Sequence, residues 1–150
     1  MDKIKTLLTK YLQVLGGAAG KEIDNIRAKM AWSLAEDVLL AQPTMPVSVE
    51  DLSASLDRAL QEHFPFCERV ELKEVSPDQI NVVITGCFLK EANEKLQTSQ
   101  DLSLCPMAPF FIYVFSRNFR QNAWLEDYHP TQGGCILSFS LSNRCSCSSD

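Results

Sequence analysis

The sequence predicts an α+β fold, an antiparallel sheet made from two β-hairpins and packed against an N-terminal helical layer and a central helix. Three observations carry that expectation. Apolar residues recur at helical spacing through the first forty positions; the period changes to two around residues 70–72 and 80–84; and a strongly apolar helical stretch after Pro106 leads into a second alternating run. A chain of 150 residues that is 45% hydrophobic and 22% charged fits one globular domain, able to bury most of its apolar surface without cross-links.

Taken in order, Ile4, Leu7, Leu8, Tyr11, Leu12 and Leu15 form the apolar face of a first helix, stopped by Gly16 and Gly17. Ile23, Ile26, Met30, Leu34 and Val38, with Trp32 beside them, form the stripe of a second, closed by Pro43 and Pro46. The pair reads as a helical hairpin over residues 1–46, followed by an α+β core over 47–141 and a tail over 142–150. Ser48 is placed to cap a third helix, with Val47 and Leu52 as a hydrophobic staple and Leu52, Leu56 and Leu60 as its buried face. Val70 and Leu72 alternate with charged residues, a turn falls at 76–79, and Ile80, Val82 and Ile84 alternate again, which predicts the first β-hairpin. A short helix over 89–97 and a polar loop over 98–101 precede the central helix of 106–119, whose face is Met107, Phe110, Phe111, Val114 and Phe115. The second hairpin puts Trp124, Glu126 and Tyr128 on one face of its first strand and Cys135, Leu137, Phe139 and Leu141 on one face of its second.

The same region holds a cluster of metal-type side chains, Cys105, Glu126, His129 and Cys135. A helix from Pro106 to Phe119 covers roughly 21 Å. An extended chain from Arg120 to Glu126 covers roughly 23 Å in return, so the glutamate is expected back near Cys105. Pro106 suits the first helical position, making Cys105 the N-cap, where the helix dipole favours thiolate. Pro130 holds His129 in extended backbone near Cys135. Two thiolates, a carboxylate and an imidazole make a closed tetrahedral set for a structural zinc. The plainer alternative is a capping cysteine, a solvated glutamate, a loop histidine and a core cysteine. Cys67 and Cys87 read as small buried hydrophobes, His63 as a solvated residue at a helix end, and Cys145 and Cys147 as a CxC pair in the tail.

Composition excludes several classes of function. The net charge of −5, with no Lys/Arg run, argues against nucleic acid. No apolar stretch is long enough to span a membrane, and lysines interrupt the N-terminus where an export signal would be apolar, so a cytoplasmic location with reduced thiols is expected. No nucleophile elbow, phosphate loop or nicotinamide fingerprint is present, so the chain is not expected to be an enzyme.

The segment from Cys105 to Leu141 resembles the 4-vinyl reductase domain, a small-molecule-binding module also found in phenol-sensing activators and related in fold to TRAPP-type trafficking subunits. Cys105 matches the family's first cysteine, Glu126 its glutamate, Gly133 its glycine and Phe139 its aromatic residue. His129 stands where the family has a second cysteine and Leu137 where it has a third, with Cys135 two residues earlier on the same strand face. The resemblance implies a structural zinc beside an apolar cavity, and a tetrapyrrole as one candidate ligand. The expected function is therefore non-enzymatic binding of a small apolar, aromatic or tetrapyrrole-like molecule between the central helix and the sheet, lined by Phe111, Phe115 and Trp124. Two other classes stand beside it: a thiol and zinc redox sensor, and a homodimeric assembly subunit without ligand.

Overall fold

The computed structural model describes residues 2–40, 48–100 and 105–143. The expected tail cysteines Cys145 and Cys147, the prolines Pro43 and Pro46 and the staple residue Val47 lie outside the described residues. Five helices and four strands are described: α1 Asp2–Ala19, α2 Ile23–Leu40, α3 Val49–His63, β1 Arg69–Ser76, β2 Gln79–Thr85, α4 Lys90–Gln100, α5 Met107–Phe119, β3 Gln121–Thr131 and β4 Gly134–Asn143. The strands form one antiparallel sheet in the order β1-β2-β4-β3, so two hairpins meet along β2 and β4. The predicted α+β class and both hairpins are what the chain forms.

The core lies on one face of the sheet. Val70, Leu72, Ile80, Val82, Ile84, Leu137, Phe139 and Leu141 point from the strands toward Leu52, Leu56 and Leu60 of α3 and the aromatic face of α5. α3 starts where its cap predicts: the Ser48 hydroxyl accepts from the Asp51 N–H at 3.0 Å. This helix also covers the edge of the sheet. Asp57 Oδ1 accepts from the Val70 N–H at 2.9 Å and Ser53 Oγ from the Leu72 N–H at 2.8 Å, satisfying donors that β1 would otherwise present unpaired.

The N-terminal layer departs from the expected hairpin. α1 runs through Gly16 and Gly17, and the break comes at Gly20, whose φ of +56° only glycine adopts readily. A single 3-10 turn, Gly20–Glu22, then joins α1 to α2. α1 packs on α4 while α2 packs on α5 and α3, with little direct contact between the first two helices. The buried faces are also rotated from the expected ones. α1 turns Thr9 and Gly16 inward and leaves Leu7, Tyr11, Val14 and Leu15 exposed; α2 buries Ile23, Ala31, Ala35 and Val38 and leaves Ile26, Met30 and Trp32 exposed. The buried positions of α1 are small, and on α2 Ala31 and Ala35 share the inner face with Ile23 and Val38 from the expected stripe.

Candidate functional site

α5 is held at both ends. Pro106, at φ −84° and ψ 0°, is the N-cap, and the first helical bond runs from the Phe110 N–H to the Pro106 carbonyl at 3.0 Å. Cys105 therefore sits one position outside the cap, where it was expected to be the cap itself. Arg27 Nε of α2 donates to the Cys105 carbonyl at 2.9 Å and ties this junction to the N-terminal layer. At the other end Arg120 adopts the left-handed conformation, φ 54°, and turns the chain into β3.

Of the four expected metal-ligating residues, the fold brings two together. Cys105 and Cys135 line one small cavity with Cys87, Leu89, Lys90, Asn93, Tyr128 and Gly134; its volume is about 20 Å³, room for about one water. Glu126 and His129 do not join them. Between Leu125 and Asp127 the pairing of β3 with β4 shifts by one, leaving Glu126 as the extra residue of a β-bulge. Its exposed carboxylate accepts from the indole N–H of Trp124. The bulge also reverses which residues face the core. Trp124 pairs with Ser140 on the outer face, whereas Tyr128 pairs with Leu137 on the inner face, so these two do not share a side as expected. His129 pairs with Ile136, and Cys135 with Pro130, which puts the exposed imidazole and the buried thiol on opposite faces of the sheet. Among the described residues no three His, Cys, Asp or Glu side chains gather where they could hold a metal ion. The expected zinc ligands Cys105, Glu126, His129 and Cys135 thus do not fit a single cation in this arrangement.

The thiols are not poised as thiolates either. Burial pushes Cys105 up to about 11 from its ordinary 9.0, outweighing the Met107 N–H bonded to its sulfur and the nearby Arg27 charge. Burial likewise pushes Cys135 and Cys67 up to about 12, with neighbouring cysteines adding to the effect. Desolvation therefore wins over the helix terminus that the sequence suggested would favour ionisation.

The expected ligand-lining residues lie on two different sides of the sheet. Phe111 and Phe115 are fully buried, and both rings pack on Phe139, at centroid distances of 6.1 and 5.3 Å, filling the space between α5 and the sheet. Trp124, 42% exposed, faces the opposite side of the sheet. Sequence reasoning missed Cys87, Lys90 and Tyr128 as wall residues. Lys90 Nζ donates to the carbonyl of Gly134 at 2.9 Å and to that of Thr131, closing the cavity over the hairpin turn. The one signal for it was the register: Tyr128 and Cys135 meet only if the bulge is counted.

The largest irregularity lies elsewhere, on the surface. Leu7, Tyr11 and Val14 of α1 are 70, 67 and 72% exposed, and Leu15, Ile26, Met30 and Trp32 are each more than 40% exposed. Trp32 leans on Tyr113 of α5 at a centroid distance of 4.5 Å. A row of large apolar side chains turned outward while threonine and glycine are buried is the reverse of what a monomer's hydrophobic effect selects.

No protein-family model matches the sequence, and no curated protein matches it. Among solved structures the fold is similar to that of a trafficking protein particle complex subunit 3 from Naegleria fowleri, crystallised covalently bound to palmitic acid. The match has a TM-score of 0.58 at 10% identity and covers 95% of this chain and 98% of that chain. The chain thus has a TRAPP-like fold, and no described helix is long and apolar enough to cross a membrane.

Proposed function

We propose that this protein is an assembly subunit, a cytoplasmic, non-enzymatic component that docks through the bare face of α1, extended by α2, onto a helix of another protein subunit. The observation that carries this reading is the outward row Leu7, Tyr11 and Val14, whose spacing keeps all three on one side of the helix. The similarity in fold to a trafficking-complex subunit supports it, since a subunit needs a face that is covered only after assembly.

The 4-vinyl reductase reading, with a structural zinc and a bound aromatic or tetrapyrrole-like molecule, draws less support. The phenylalanine cluster fills the proposed cavity, and the cavity beside it holds about one water. A zinc and thiol redox sensor is likewise less supported by thiols that burial keeps protonated.

The test is sedimentation velocity on the wild type and on a variant with Leu7, Tyr11 and Val14 all changed to serine, over a wide concentration range, with the apolar dye ANS as a second readout. The wild type should associate or bind dye and the variant should do neither while keeping its circular dichroism. Identical monomeric behaviour and equal dye binding by both proteins would remove the docking face.

A further inference from the structure

We propose that the occupant of the α1 face is an amphipathic helix of a different polypeptide, with glutamate or aspartate along one border of its apolar seam; this rests on the docking reading above. Leu7, Tyr11, Val14 and Ala18 are all exposed and follow one another at steps of four, three and four, the alternation of a coiled-coil seam. Lys10, Gln13, Val14 and Gly17 surround a solvent-open depression on the same helix. Their spacing, i, i+3, i+4 and i+7, places the depression on the flank of that seam, where a border side chain of a facing helix reaches it. The missing side chain at Gly17 deepens the depression, and Val14 offers an apolar wall.

The border of this depression is polar and positive. Lys3 and Lys10 are seven residues apart, so they occupy the same flank of the seam, and both are exposed. α1 carries three lysines against one aspartate in a chain whose net charge is −5, so its docking helix is basic on an acidic protein. A border glutamate would lay its methylenes on Val14 and bring its carboxylate to the Lys10 ammonium; an apolar side chain there would cover that charge without a partner. A second copy of α1 supplies no counter-charge. Paired antiparallel, the lysine flank meets the same lysine flank, and paired parallel it meets the flank carrying Leu15.

Two synthetic helical peptides with the same leucine seam, one with glutamate and one with lysine along its borders, provide the probe. Binding to the full chain is measured by fluorescence anisotropy, alongside sedimentation of the protein alone and co-flotation with phosphatidylserine–phosphatidylcholine vesicles. The glutamate peptide should bind about tenfold or more tighter, corresponding to roughly 1.4 kcal/mol shared between two lysines. The preference should fade in about 1 M salt, and the Lys3→Glu, Lys10→Glu double variant should reverse it while melting like the wild type. Equal affinity for both peptides overturns the acidic-partner inference and leaves the docking face standing. A stable self-dimer lost in the serine variant, or binding to vesicles with neither peptide bound, also overturns it by naming a different occupant. No peptide binding, no self-association and no vesicle binding would bring down the docking reading as well.

Discussion

The rotation of α1 can be read directly from unfolding free energies. Tyr11 and Val14 keep roughly a third of their area buried, being 67 and 72% exposed. Fully burying such a side chain is worth about 2 kcal/mol, so the folded monomer draws only about 0.6 kcal/mol from each. Tyr11→Ser and Val14→Ser should therefore each cost roughly 0.6 kcal/mol; tyrosine, valine and serine have similar helix propensities, so the backbone contribution nearly cancels. Thr9 is 3% exposed on the inner side of the same helix. Thr9→Leu pushes two extra carbons into a packed seam and should cost about 1–3 kcal/mol. Urea titrations at unchanged m-value separate these outcomes. Had the apolar stripe Leu7, Tyr11 and Leu15 been the buried face, as its periodicity suggests, Tyr11→Ser would lose about 2–5 kcal/mol and Thr9→Leu would be neutral. That reversed pattern would refute the placement of α1 and the docking face together.

Two further outcomes follow from the sheet and its thiols. Gly134→Ala should cost roughly 3 kcal/mol or more, because its Cβ would stand 1.9 Å from the Ile84 carbonyl oxygen across the β2–β4 pairing; Gly133→Ala, with open space but φ at +81°, should cost only about 1–2 kcal/mol, both read by urea titration. Cys67, Cys105 and Cys135 have folded pKa values raised to about 12, 11 and 12, so their contribution to stability is whole below pH 9 and is lost as pH rises from there toward 12, where the unfolded thiols ionise first. Urea midpoints falling across that window, and slow alkylation of Cys67, Cys105 and Cys135 in the native protein at pH 8, read peptide by peptide, check this; fast modification of those three without denaturant would contradict it.

The sheet was legible because its code is short-range. Val70 and Leu72, Ile80, Val82 and Ile84, and the inward run Cys135, Leu137, Phe139 and Leu141 alternate strictly, and each sits where period two puts it. α3 was equally clear, its cap and face both following from Ser48 to Leu60. The site was less legible because one extra residue in β3 carries every side chain after it to the other face. Nothing local marks Glu126 as that residue, so a return path measured in ångströms still delivered the wrong side chain to Cys105, with Tyr128 arriving there instead. The helical layer misled for another reason. Periodicity finds where large apolar residues lie, but α1 and α2 pack through Thr9, Gly16, Ala31 and Ala35, and only the folded arrangement shows which stripe is inside.

The contrast between the two margins of the molecule supports the docking reading of the bare stripe. At β1 the chain covers an edge that would otherwise template another strand: Asp57 and Ser53 take up the outward N–H groups of Val70 and Leu72, while Gln61 Nε2 donates to the carbonyls of Cys67 and Glu68, each at 3.1 Å. Four hydrogen bonds from one helix are aligned to satisfy that edge. Among the described residues no comparable cover lies over α1; Leu7, Tyr11 and Val14 stand out while the helix spends its inner face on a threonine and a glycine. A rotation of α1 by about half a turn would exchange them with Thr9 and Gly16, the residues this helix now buries. On the docking reading, the fold protects the surface where strand pairing would be indiscriminate and leaves open the one where side-chain shape and charge would select a partner.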